Sequence, residues 1–150
     1  MIFQEEDYTH FFSYEFMKLY RTHWKEIGNF NKQKIPLEPD WDIYRTLGKQ
    51  GKLITFTIRT PNGLLIGYNI FIVTTHHHYR NAIIAENDIL YLHPDYRKGY
   101  TGYNFIKYCI KELKERVDII MLSVKASHSI EAITKRLGFK LMDYKFVLET

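Results

Sequence analysis

The stretch from Ile89 to Phe105 restricts the fold more than any other part of the chain. An apolar run stops at His93 and Pro94, and a short loop follows with Arg97, Lys98 and Gly99. Apolar side chains at Phe105, Ile106, Cys109, Ile110 and Leu113 then recur at helical spacing, which predicts a helix from about Tyr100 to Glu115. A second apolar run, Ile119 to Val124, comes directly after it. Strand, helix and strand in that order make a crossover that leaves the two strands parallel. The first turn of the helix has N–H groups without internal partners, and the helix dipole places partial positive charge there. Beside Arg97 and Lys98 this is a ready site for phosphate. The same residues also suit a plain connection that binds nothing.

The other segments are read by period. Residues 8–27 carry Phe12, Phe16, Leu19, Tyr20, His23 and Ile27 at helical spacing, with Lys18, Arg21 and Lys25 turned outward. Gly28 and Asn29 supply a stop. A short helix starts at Asp40-Trp41-Asp42 and ends near Gly48. Leu53 to Arg59 alternates like a half-buried strand, and Thr60-Pro61-Asn62-Gly63 has the residues of a turn. Leu64 to Val73 is almost continuously apolar, a central strand. A third strand runs from Ala82 to Leu92, a helix from His128 to Leu137, and a final strand from Lys140 to Leu148. The reading is an α+β fold: a mixed sheet with an antiparallel N-terminal meander, a central parallel strand–helix–strand unit, and helices on both faces. With 150 residues and no repeat, linker or low-complexity segment, residues 1–150 make one domain.

The loop and the helix after it resemble the acyl-coenzyme A motif of the GNAT superfamily of N-acetyltransferases. There a strand leads into Pro-x-Tyr-Arg and then Arg/Gln-x-x-Gly-x-Gly/Ala. Here Pro94, Tyr96 and Arg97 fill the first part, and Arg97 and Gly102 the ends of the second. Tyr100 occupies the middle glycine position, and Gly99 comes one residue early. Ala132 to Phe139 resembles the helix and Gly-Phe ending of these enzymes, so the likeness covers about Tyr8 to Leu148. Through His23-Trp24, Asp40-Trp41, His78-Tyr79 and Asp88 the chain looks most like the small members encoded by phages and prophages.

The resemblance implies an N-acyltransferase with acetyl-CoA as cosubstrate. Tyr91 and Leu92 would offer backbone groups to the pantetheine, and Arg97, Lys98, Gly99, Tyr100, Thr101 and Gly102 would hold the pyrophosphate. Ser127, beside His128, stands nearest the pantetheine-binding asparagine of relatives. Thr134 takes the place of a tyrosine that protonates the departing thiolate, which leaves that role to Tyr144 or water. The acceptor, a small amine or a protein lysine, would bind beside Trp41 and the His78-Tyr79 pair.

Glu86 and Asp88 stand two apart on a predicted strand, so both side chains leave the same face. A carboxylate there can take the proton an ammonium must lose before it attacks a thioester. Asp88 is the first choice, since the phage-type relatives carry Asp there, and Glu86 the second; a polar pair facing water is the plain alternative. His76, His77 and His78 point in alternate directions on an extended chain and have no ligand partners at zinc-site spacing, so no metal is expected. Cys109, the only cysteine, reads as a buried core thiol. The net charge of +4 suits an anionic cosubstrate and gives no dense Lys/Arg stripe for nucleic acid. Without a signal-peptide pattern or an apolar run of spanning length, the chain reads as cytoplasmic, off the membrane, and compatible with a homodimer. Two other functions stay open: a non-catalytic binding module of a phage or prophage, and a modifier of nucleic-acid bases.

Overall fold

The computed structural model describes residues 1–26, 34–36, 38–125 and 130–150. Five strands form one sheet in chain order: β1 (Ile2–Glu6), β2 (Leu53–Arg59), β3 (Leu65–Thr75), β4 (Ile83–Leu92) and β5 (Ile119–Met121). The first four pair antiparallel, and β5 lies parallel to β4. Helices α1 (Tyr14–Glu26) and α2 (Trp41–Lys49) cover one face, and α3 (Thr101–Leu113) crosses the other between β4 and β5. A short α4 (Glu131–Arg136) follows β5. This is the mixed α+β sheet with one parallel crossover that the order of segments predicts.

Strand alternation divides the core in two. Phe16, Leu19 and Tyr20 of α1 pack on Tyr68, Ile70 and Tyr91. Phe105, Cys109 and Leu113 of α3 pack on Phe56, Ile58, Ile66 and Phe71. Cys109 is buried, and the apolar surroundings push its thiol well above the usual range. Among the described residues no helix is long and apolar enough to cross a membrane.

Four features differ from what the segment pattern predicts or leaves out. Strand β1 is new: its polar reading, with Gln4, Glu5 and Glu6, hides a strand whose carboxylate at Glu6 is held by Thr57 at 2.7 Å and Arg59 at 2.7 Å. Burial resists ionisation of Glu6, yet bonds from Arg59, Gln4 and Thr57 outweigh it and hold its pKa at about 2. Second, β2 is buried on both faces, Thr55 and Thr57 included, because β1 and β3 flank it and helices lie above and below. Third, the helix expected over 8–27 starts late: a 3₁₀ turn at Tyr8–Phe12 precedes α1, and the Ser13 hydroxyl accepts from Phe16 N at 3.3 Å. Fourth, the strand expected at Lys140–Leu148 is absent. Residues 139–150 are neither helix nor strand, and Phe146 is 93% exposed. Alternation shows what a segment can bury, but a strand exists only where a neighbour supplies the ladder.

Two local features set up the site. Register between β3 and β4 pairs Ile70 with Ile89 but Phe71 with Asn87, so Asp88 is an extra residue, a bulge. Pairing between β4 and β5 covers only Ile84–Ile119, Ala85–Ile120 and Glu86–Met121. Past Glu86 the two strands part.

Candidate active site

The bulge re-aims β4 at the residue that carries its carboxylate. Asp88 is exposed, and its Oδ2 accepts the Tyr44 hydroxyl at 2.5 Å. Tyr44 stands on α2 one turn from Trp41, on the same side of the helix. The helix is anchored at its start by the Asp40 carboxylate, which accepts from Asp42 N at 3.1 Å and Ile43 N at 3.2 Å. Trp41 in turn packs against Tyr20 and Tyr44, with ring centroids 5.5 and 5.8 Å apart. Burial, and then the neighbouring Asp88 carboxylate, push the Tyr44 hydroxyl far above the ordinary phenol range. It therefore stays protonated and donates to Asp88.

Beyond Glu86 the main chain of β4 has no further β5 partner among the described residues. His93 N donates to Ile66 O at 2.8 Å on the β3 side. Orientation alternates along an antiparallel ladder, so Leu92 and Leu90 turn their N–H and C=O groups the other way. Arg97 confirms the direction: its Nε donates to Leu92 O at 2.7 Å. Leu90 thus turns its peptide edge away from β3, towards the β5 side.

After β4 and the turn at Pro94–Tyr96 comes the loop from Lys98 to Gly102. Gly99 has φ +56°, a left-handed conformation that favours glycine over any other residue. Helix α3 then starts at Thr101 with no side-chain cap and no acidic residue in its first turn, which leaves its N-terminal N–H groups and dipole directed at this loop. A Cβ on Gly102 would meet Ile133 Cδ1 at 3.7 Å and Leu92 Cδ2 at 3.9 Å, so α4 and the end of β4 close around that turn.

Besides Lys98 within the loop, charge comes from a residue outside the sequence motif. Arg136 of α4 lies over the rings of Tyr100 and Tyr103, 5.4 and 5.3 Å from their centroids. Arg97 is engaged elsewhere: its two Nη atoms meet the Glu26 carboxylate at 2.5 and 2.8 Å, and its guanidinium lies 5.4 Å from the Tyr91 ring centroid. Tyr91 is buried against His23, with centroids 4.3 Å apart, and its hydroxyl is pushed up to about 12 by burial and by Glu26. Arg97 thus ties the end of α1 to the exit of β4.

Other residues named from sequence fall in different places. Glu86 pairs opposite Ile72, on the face that α1 and α2 cover, with Ser123 Oγ at 3.4 Å and Lys145 Nζ at 3.9 Å. His78 and Tyr79 sit at the β3–β4 hairpin, at least five strand residues from Asp88, or roughly 17 Å. The structure does not bring this pair to Asp88; Trp41 is the acceptor candidate it places nearby, through Tyr44. Thr134 bonds back to Glu131 O at 3.0 Å, and Tyr144 is exposed. Ser127 lies outside the described residues. Among the described residues, no group of three or more His, Cys, Asp or Glu is placed to hold a metal ion.

No family model and no curated protein matches the sequence. Solved structures do match. A ribosomal-protein-alanine N-acetyltransferase from Brucella melitensis biovar Abortus 2308 superposes with a TM-score of 0.68 at 14% identity, over 100% of both chains. An acetyltransferase of Trypanosoma brucei gives 0.69 at 11% identity, over 99% of each chain. A predicted acetyltransferase from Clostridium acetobutylicum, solved with acetyl-CoA, gives 0.63 at 16% identity, over 99% of this chain and 95% of that one. The fold is that of the GNAT acetyltransferases.

Proposed function

We propose that the protein is an acyl-CoA-dependent N-acyltransferase, with acetyl-CoA as donor and a primary amine as acceptor. One observation carries this reading: β4 makes its last pair with β5 at Glu86, carries the bulged carboxylate Asp88 just beyond that point, and leads through the Lys98–Gly102 loop to the uncapped start of α3. The pantetheine arm is an extended chain with two amides, so it can pair with the β4 edge at Leu90 as an added strand would. The pyrophosphate takes the N–H groups of the loop from Lys98 to Gly102 and the α3 N-terminus, with Arg136 adding charge. Arg97 acts through Glu26 and Leu92, fixing the strand end that the arm runs along.

Asp88 is the residue proposed to accept the amine proton. Tyr44 holds one of its oxygens and so orients the carboxylate towards the aromatic side of the site, where Trp41 lines the approach. The freed amine attacks the thioester carbonyl, the C–N bond forms and the C–S bond breaks, and the proton then shed by the new amide nitrogen passes through water to the departing thiolate. Glu86, with Ser123 and Lys145 beside it, is kept as the second candidate base.

The donor half of the reading is tested by calorimetry and by thermal shift with acetyl-CoA and CoA. An unmoved melting curve at saturating concentrations of both overturns it. The acceptor half is tested with labelled acetyl-CoA offered to pools of small amines, peptides and DNA. A second reading, a coenzyme-binding module without catalysis, draws on the back-bonded Thr134 and the exposed Tyr144. Tight CoA binding with no transfer in any pool favours it.

A further inference from the structure

Asn87 lies between the last β4–β5 ladder pair and the bulge, and it is 3% exposed. An amide buried that deeply is costly unless both its ends are bonded. Both are bonded to a single residue of the neighbouring segment. Asn87 Nδ2 donates to Ser123 O at 3.2 Å, and Ser123 N donates to Asn87 Oδ1 at 2.5 Å. A side-chain amide carries the same donor and acceptor as a peptide group. Here it takes over the ladder where the main chains have stopped pairing: the last main-chain pair is Glu86–Met121, and the next link is Asn87 to Ser123. Main-chain pairing would hold the two strands about 4.8 Å apart. A side chain reaches further from its Cα, so it links the segments while letting them separate.

We infer that Asn87 is the pin that sets the width of the gap between β4 and the segment leaving β5. It is a positioning residue for the arm of the acyl donor, and this rests on the donor reading above. The pin stands next to Asp88 in sequence, so the same bonds fix the point from which the bulge turns the carboxylate. Glu86, on the other side, adds a weaker tie to the same serine through Ser123 Oγ at 3.4 Å. The nucleotide end of the donor, in contrast, would meet the loop and the start of α3, whereas both side-chain hydrogen bonds of Asn87 run to Ser123.

That division sets the experiment. CoA and adenosine 3′-phosphate 5′-diphosphate, the nucleotide end without its arm, are titrated into wild type, Asn87→Ala and Asn87→Asp. The aspartate keeps the acceptor for Ser123 N and loses the donor to Ser123 O. Both variants are expected to bind CoA about tenfold more weakly, as for one lost constraint of hydrogen-bond size, with nucleotide affinity held within about twofold. A CoA affinity equal to wild type, or an equal loss for both ligands, overturns the pin and leaves the donor reading standing. Wild type that binds neither ligand overturns the donor reading itself, and the pin with it. Hydrogen exchange on the wild-type protein gives a measurement that no folding defect can spoil. The Ser123 amide is expected to be protected like those of the β4–β5 ladder, and exchange at the rate of an open loop overturns the pin.

Discussion

The two strand pairs β1–β2 and β4–β5 handle polar groups in opposite ways. At β1–β2, five consecutive residues pair in register, and the charged groups close on one another: Glu6 with Arg59, Thr57 and Gln4, and Arg59 also with Glu15 at 2.5 Å. At β4–β5, three pairs form, the ladder passes to the Asn87 side chain, and Asp88 is turned towards α2. The first region satisfies its polar groups within the chain and contributes stability. The second makes fewer main-chain pairs among the described residues, and the α3 start beyond it has no side-chain cap; under the proposed function these groups serve the donor. Arginine appears in both with one job: Arg59 and Arg97 each hold a carboxylate from another element, and neither is placed as a free cation for substrate.

Perturbing each region should therefore move a different property. The largest effect is expected from Asp88→Asn, which should cut turnover about 10²- to 10³-fold with the melting curve and CoA affinity near wild type. The loss should shrink at high pH, where solvent supplies free amine. Equal loss of coenzyme binding would place Asp88 among structural residues and break the contrast. Next comes Arg59→Ala, which leaves Glu6 and Glu15 without their shared partner. It should destabilise the fold by about 3 kcal/mol in denaturant titrations while CoA affinity at low temperature stays unchanged.

A pH series separates the same two regions. Glu6 has its pKa depressed from 4.5 to about 2, so its contribution to stability is complete above about pH 4.5 and is lost as pH falls towards 2. Melting temperature in wild type should drop across that window, and Glu6→Gln should show a shallower slope there. Identical slopes would mean that the charge of Glu6 is not what holds β1. A smaller change is expected from Tyr44→Phe, about tenfold in kcat with the KM for acetyl-CoA unchanged, because only the orientation of Asp88 is lost. The smallest is Gly102→Ala. Its new methyl would sit at ordinary contact distance from Ile133 and Leu92, so CoA affinity should change by no more than about twofold, whereas Gly99→Ala should bind more weakly because φ +56° strains alanine.

Much of this was legible from residue order. The apolar run into Pro94, the loop with Gly99 and the helical spacing from Phe105 to Leu113 all form as read, because each is governed by local geometry. So does α2, whose start is marked by the capping residue Asp40. Asp88 was named from a two-residue spacing and a family likeness, but the bulge that isolates it appears only once β3 and β4 are paired. Tyr44 is marked by spacing alone: it stands three residues after Trp41, hence on the same helix face. Arg136 carried none, since its closeness to Tyr100 depends on how α4 returns across α3. The His78-Tyr79 pair was placed beside the acceptor by likeness, and strand length moved it away.

Taken alone, the amino-acid sequence determined the elements whose causes lie within one or two turns of chain: the crossover helix, the glycine-containing loop before it, the capped start of α2 and the apolar strands. Tertiary structure decided which polar groups meet. Glu6 with Arg59, Glu26 with Arg97, Tyr44 with Asp88 and Asn87 with Ser123 join residues 36 to 71 positions apart. No local propensity encodes such pairs, because each side chain alone is equally well served by water, and only burial in the assembled sheet makes a particular partner necessary.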